Sequence, residues 1–165
     1  MMKYTVVSNT TPLIAFIKKN ELELLKTIFT DILIPQSVYD EISKDVPKYT
    51  REKDMLIKEI EKGWLKIQNT KASKLVNLNL GRGETDAINL CFDIEAPLLL
   101  IDEKKGRSIA QSYNIDVLGT LGVLALANKR NLKNKQEINN NLSLLIKKKV
   151  YLSSDIILHF LNKLE

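Results

Sequence analysis

Strands that alternate with helices along the chain predict a three-layer α/β/α sandwich built on a parallel sheet. Two observations carry this reading. Leu98, Leu99, Leu100 and Ile101 form a continuous apolar run, as a central parallel strand covered on both faces requires. Between the first two strands, Leu22, Leu24, Leu25 and Ile28 recur at roughly helical spacing. The 165 residues fit one domain, long enough to bury roughly 70% of the surface its unfolded form exposes. The expected organisation is a single domain over residues 1–165, in which 131–165 are a basic, helical C-terminal extension.

In order, residues 4–8 read as a strand, and Pro12 sits where the first turn of a helix over 12–18 tolerates it. The apolar spacing over 21–29 gives a second helix. Residues 31–34 are a short strand stopped by Pro35, followed by a helix over 37–43 with Val38 and Ile42 inward. A polar loop over 44–50 contains Pro47. Residues 51–62 form a strongly charged helix closed by Gly63, and 64–67 alternate as an edge strand does. Residues 69–80 are polar and irregular, a mobile loop leading into a helix over 81–94. The strand over 97–101 is followed by a helix over 104–113 with Ile109 and Ala110 inward. A strand over 115–118 and helices over 121–130, 136–148 and 154–164 complete the chain.

Composition removes several chemistries. One cysteine, Cys91, excludes an internal disulfide and a cysteine-based zinc site. One histidine, His159, leaves no His-rich metal site and argues against a Ser-His-Asp machine; among Ile156, Ile157, Phe160 and Leu161 it reads as structural. Cys91, inside a helix, reads as a small packed apolar residue. An aspartyl-phosphate enzyme is disfavoured because the first strand ends in Ser8-Asn9-Thr10, without a carboxylate to phosphorylate. Gly81-Arg82-Gly83 lacks the preceding strand and further glycine of a phosphate loop. No apolar run is long enough to span a bilayer and no signal-peptide cleavage site follows the N-terminus, so the expected location is cytoplasmic with no membrane partner.

What remains is carboxylate chemistry. Gly83-Glu84-Thr85-Asp86 puts acids into the opening turn of a helix, and Asp102-Glu103 hang a second pair just past a buried strand. Four carboxylates from two element ends suit a hard cation such as Mg2+ or Mn2+. Sites in open α/β sheets also form at the carboxyl ends of strands. Asp102, at a buried strand end, is costly unless paired or metal-bound. Glu84 also suits a helix start electrostatically. Asp86, about 200° round the helix from Glu84, reads as helix-start electrostatics or outer-shell water binding. Glu103 either ligates or starts the next helix. Arg82, Lys104 and Arg107 flank the acids and either hold phosphates or form solvated helix faces.

Four segments together resemble the PIN-domain family, over roughly residues 4–130. Val6-Val7-Ser8-Asn9-Thr10-Thr11-Pro12-Leu13-Ile14 resembles its opening strand, turn and helix. Gly83-Glu84 resembles its second acidic element, and Leu99-Leu100-Ile101-Asp102-Glu103 with Gly106-Arg107 its third. Gly119-Thr120-Leu121-Gly122-Val123-Leu124 is similar to a strand-to-helix junction in a subfamily of small bacterial and archaeal proteins of unassigned role. The resemblance implies a parallel sheet of about five strands, an acidic Mg2+ or Mn2+ site and ribonuclease activity on single-stranded RNA. It further implies an RNA partner, an antitoxin protein if the chain is the toxin of a toxin–antitoxin pair, and a homodimer. Carried over, Asn9 stands where the family has its first aspartate. Glu84 and Asp102 match a glutamate and the next aspartate, and Glu103 or Asp116 is the fourth acid. Thr120 and Thr10 line the site. Asn9 brings an amide oxygen but no charge, so the second expectation is a silent PIN-like module that binds RNA or protein.

The net charge of +5 lies entirely in residues 128–165, where eight Lys and Arg meet Glu137, Asp155 and Glu165. Such a basic segment, with Lys147-Lys148-Lys149 at its centre, is compatible with polyanion binding. Of the 25 cations 21 are lysine, and 14 asparagines accompany them, so base composition is a competing account of the bias.

Overall fold

The computed structural model describes residues 5–45, 50–71, 75, 79–150 and 154–162. Tyr4 at the expected start of the first strand, most of the 44–50 loop with Pro47, half of the 69–80 loop and the side chain of His159 lie outside the described residues. Five strands, β1 (Val6–Ser8), β2 (Ile32–Ile34), β3 (Leu65–Ile67), β4 (Leu98–Leu100) and β5 (Asp116–Leu118), form one sheet in the order β3-β2-β1-β4-β5. All four pairings are parallel. Helices α1 (Thr10–Lys18) and α2 (Leu22–Ile28) follow β1, α3 (Gln36–Asp45) and α4 (Arg51–Glu61) follow β2, and α5 (Arg82–Ile94) follows β3. Helix α6 (Lys104–Ser112) follows β4, and α7 (Thr120–Lys129), α8 (Lys135–Lys147) and α9 (Ser154–Leu161) follow β5.

The three layers come from strand alternation, because successive side chains point to opposite faces. Val6, Ile32, Ile34, Leu98 and Leu100 share a core with Leu13, Phe16, Val38, Leu56 and Leu124, from α1, α3, α4 and α7. Val7, Leu33 and Leu99 pack instead with Ala87, Ile88, Cys91 and Ala110, from α5 and α6. Each fully buried Leu, Ile or Val contributes about 1.5–3 kcal/mol relative to exposure. The basic C-terminal residues join the same body: Ile138, Leu142 and Phe160 lie in the larger core, and Leu145 packs with Ala15 and Val150.

Local chemistry sets most element ends. Gly63, at φ +80°, closes α4 with its N–H on the Ile60 carbonyl at 2.9 Å. Asn134 and Glu137 cap α8 reciprocally, at 2.9 and 2.7 Å. Helix α1 begins at Thr10, two residues before the expected Pro12, because a helix's first N–H groups lack intrahelical acceptors and proline needs none. Helix α7 likewise starts at Thr120, directly after Gly119. Among the described residues, no helix is long and apolar enough to cross a membrane.

Candidate functional site

The chain moves outward from β1 through β2 to β3, then returns to β4 and moves outward again to β5. The strand order therefore reverses between β1 and β4, the switch point at whose carboxyl ends α/β sheets place ligands. Asn9 follows β1 and Asp102 follows β4 by two residues. The Asn9 N–H donates to the Leu100 carbonyl at 2.9 Å, and the Ile101 N–H to the Leu118 carbonyl at 2.9 Å, which locks the three strand ends together.

Asp102 is held by Thr120, whose backbone N–H donates to Oδ1 at 2.7 Å and whose hydroxyl donates to Oδ2 at 2.6 Å. Arg107 donates to the Ile101 carbonyl at 3.2 Å beside it. Gly119 makes this fit possible: a Cβ there would lie 2.7 Å from Asp102 Oδ1 and 2.8 Å from Arg107 Nη1. Burial pushes the Asp102 carboxyl above its ordinary value, against the pull of the two Thr120 hydrogen bonds and the Arg107 charge. Each oxygen keeps a further acceptor position, so Thr120 orients the carboxylate without exhausting it.

Asn9 is 3% exposed, and its Oδ1 has no hydrogen-bond partner. The cause is local. Asn9 is the N-cap of α1, where its oxygen would accept an N–H from the second or third helical residue. The third is Pro12, which has no N–H, and the second, Thr11, does not donate to the Asn9 oxygen either, so no cap bond forms. A buried acceptor without a partner costs about 1–3 kcal/mol, which a ligand with a positive pole offsets. Among the described residues the only other such atom is Asn141 Oδ1.

A residue absent from the sequence expectation joins this centre. Glu41 accepts the Thr10 hydroxyl at 2.5 Å and the Gly83 N–H at 3.0 Å. A Cβ on Gly83 would lie 2.7 Å from both Glu41 oxygens, so Gly83 leaves room for that carboxylate at the opening of α5. The signal was present: Glu41 sits three residues after Val38 and beside Ile42, the two positions of α3 read as inward.

Glu84 is half-buried and accepts the Gly81 N–H at 2.9 Å. Burial raises its carboxyl above the usual value; the Gly81 bond opposes this, and the charges of Glu103 and Glu41 add to the rise. Glu103 is exposed and caps α6, accepting from the Lys105 and Gly106 N–H groups at 2.9 and 2.6 Å. Asp116 is a correction. It is the first residue of β5, level with Leu98, and so lies at the opposite end of the strand from Asp102. The carboxyl end of β5 delivers Thr120 instead. Asp86 accepts the Ser37 hydroxyl at 2.6 Å and pairs with Arg82 at 3.7 Å, tying α5 to α3. Lys104 is exposed at the first residue of α6, whereas Arg107 is half-buried against the Ile101 carbonyl. Cys91 is buried, and its thiol is pushed up to about 12 by desolvation, which fits a packing role. Among the described residues, no three His, Cys, Asp or Glu side chains converge closely enough to hold a metal ion by themselves.

A five-stranded parallel sheet with Asn9 and Asp102 at its switch point, and with Glu41 bonded to Thr10 and Gly83, is the architecture of an α/β domain of the PIN class. The family model DUF3368, described as a PIN domain, matches residues 5–165, and the chain belongs to this family of proteins, which are generally nucleases. Among solved structures, the fold is similar to a PilT N-terminus domain protein, SSO1118, from the hyperthermophilic archaeon Sulfolobus solfataricus P2. That likeness has 19% identity and a TM-score of 0.51, over 75% of this chain and 92% of that one, and concerns the fold alone. A comparison with curated proteins gave no match.

Proposed function

We propose that the protein is a Mg2+- or Mn2+-dependent endoribonuclease acting on single-stranded RNA. The observation that carries this is the buried, partnerless Asn9 Oδ1 at the same switch point as the Asp102 carboxylate. Both are oxygen donors and one is anionic, which fits a hard divalent cation. Asn9 and Asp102 would hold the ion, with Glu41 and Glu84 supplying further negative charge around it. When bound, such an ion lowers the pKa of a water for in-line attack on a phosphodiester, giving 5′-phosphate and 3′-hydroxyl ends. Thr120 fixes the Asp102 carboxylate through two hydrogen bonds, and Arg107 limits the repulsion between the acids and an approaching phosphate. Thr10 keeps Glu41 at the rim. The roles of toxin, antitoxin partner and homodimer belong to this proposal on the family resemblance; growth arrest on expression, relieved by the neighbouring gene's product, is their test.

The neutral Asn9 favours one second reading, a silent module that binds RNA or protein. Asn9→Asp separates the two. At 4 Å and an effective dielectric of 20, a unit charge pair interacts by about 4 kcal/mol before desolvation offsets much of it. A net gain of about 1.4 kcal/mol tightens binding tenfold. Calorimetric titration is expected to show Mn2+ bound about tenfold more tightly by Asn9→Asp, with cleavage at least as fast as wild type. If metal affinity is unchanged and neither protein cleaves RNA, the silent-module reading replaces this one.

The Lys147-Lys148-Lys149 tract contributes to RNA binding in this proposal. All three side chains are exposed at the C-terminal end of α8, where cations also complement the helix dipole. Replacing them with glutamine is expected to weaken RNA binding and to flatten the plot of log affinity against log salt. An unaltered slope would reduce the tract to a helix terminus.

A further inference from the structure

At the carboxyl ends of β2 and β3, beside the acidic centre, lies an open cleft of about 360 Å3 lined by Gln36, Ser37, Asn69, Thr70, Arg82 and Asp86. Two amides in it have fixed polarity. Asn69 Oδ1 accepts the Gln36 backbone N–H at 3.0 Å, which leaves Asn69 Nδ2 as a donor. Gln36 Nε2 donates to Asp40 Oδ1 at 2.9 Å, which leaves Gln36 Oε1 as an acceptor. Flipping either amide would break a hydrogen bond, so the cleft offers one donor and one acceptor that keep their identity. The Ser37–Asp86 hydrogen bond at 2.6 Å braces its wall, and the Arg82 side chain, 86% exposed, stands at its rim.

The cleft adjoins Glu41 along two elements. Ser37 lies four residues before Glu41 on α3, a neighbour on the helix surface at about 5–6 Å between Cβ atoms. Arg82 directly precedes Gly83, whose N–H holds Glu41. A ligand bound beside Ser37 therefore sits about one helical turn from the Glu41 carboxylate. The volume falls at the low end of the ~300–1,000 Å3 of small-ligand sites, which suits a single nucleotide. A donor and an acceptor lining one cleft complement the acceptor and donor along the Watson–Crick edge of a base, an edge that is available only when the base is unpaired.

We propose that this cleft seats the base of the nucleotide next to the scissile phosphate, with Asn69 and Gln36 reading its edge and Arg82 holding the adjoining phosphate. The proposal rests on the nuclease reading above and assigns the subsite that makes it selective for unpaired RNA. The variant of choice is Asn69→Asp, which keeps the acceptor for the Gln36 N–H but replaces the donor amide by a carboxylate; Gln36→Ala removes the acceptor. Binding is measured without added metal, by fluorescence anisotropy, on a single-stranded RNA pentanucleotide and on the same strand with one base removed at each position in turn. Removing one particular base is expected to weaken wild-type binding about tenfold. Each variant is expected to bind the intact strand about tenfold more weakly, but the strand lacking that base as well as wild type does. Cleavage products mapped alongside are expected to show a base preference beside the cut that both variants lose. If both variants bind every strand as wild type does, or lose affinity equally for intact and base-deleted strands, the cleft is no base subsite. Absence of cleavage by wild type with this binding pattern intact would remove the nuclease reading and leave the cleft as an RNA-binding site.

Discussion

Asp102→Asn is expected to lower Mn2+-stimulated cleavage of single-stranded RNA by at least about a hundredfold while the fold persists. Losing one donor to a developing charge already costs about 10²–10³ in other enzymes, and here the lost group is the anionic partner of Asn9. The asparagine still accepts the Thr120 N–H, and the Thr120 hydroxyl can rotate from donor to acceptor, so the pocket keeps its hydrogen bonds. The stability effect has a defined sign. Burial raises the Asp102 carboxyl in the folded protein, so its ionised form is penalised there. That penalty is absent below the ordinary value of 3.8 and complete once pH exceeds the raised folded value. Metal-free Asp102→Asn is therefore expected to melt at or above the wild-type temperature near neutral pH. Glu84→Gln, whose carboxyl is also raised by burial, is expected to behave in the same way. Wild-type-like cleavage by both purified variants would remove the proposed centre.

The sheet was legible because its signals are local. A continuous apolar run marks β4, and the residues that follow such runs fall at the carboxyl edge, so Asp102 could be placed from pattern alone. Glu41 was not, because an acid inside an amphipathic helix looks like any solvated charge until the neighbouring helix start is brought against it. In sequence Gly83 is only the neighbour of Glu84; its contact with Glu41 joins residues 42 apart in the chain. Asp116 shows the reverse failure. In a strand of three residues, the first and last belong to opposite ends of the sheet, and only register decides which reaches the site. By resemblance, Asn9 stands where an aspartate would bring a charge. Pro12 also removes one of the two N–H groups that could cap through the Asn9 oxygen.

The largest stability effect is expected far from this centre. Glu21, at the start of α2, accepts from Lys19 at 3.0 Å, Lys133 at 2.8 Å and Asn141 at 3.1 Å, tying the end of α1 to α8 across 120 residues of sequence. The Lys19 side chain is 0% exposed and its ammonium lies 4.0 Å from the centre of the Phe16 ring. Burial lowers its pKa to about 8, against the raising influence of Glu21. Glu21→Ala would leave that ammonium buried without its anion, a change that costs about 3–5 kcal/mol in a domain whose total stability is about 5–15 kcal/mol. Urea denaturation is expected to show that loss, and adding Lys19→Met to Glu21→Ala is expected to recover part of it, because the Lys19 charge is then gone while Lys133, 11% exposed, still lacks its anion. A second signature follows from linkage. Between about 8 and the ordinary lysine value of 10.5, the unfolded chain keeps the Lys19 proton that the folded chain has released. In that window the contribution of Lys19 to stability rises with pH, so Lys19→Met is expected to flatten the climb relative to wild type. Equal pH dependence in the two proteins, with a Glu21→Ala loss below about 1 kcal/mol, would show the cluster to be no more than a surface ion pair.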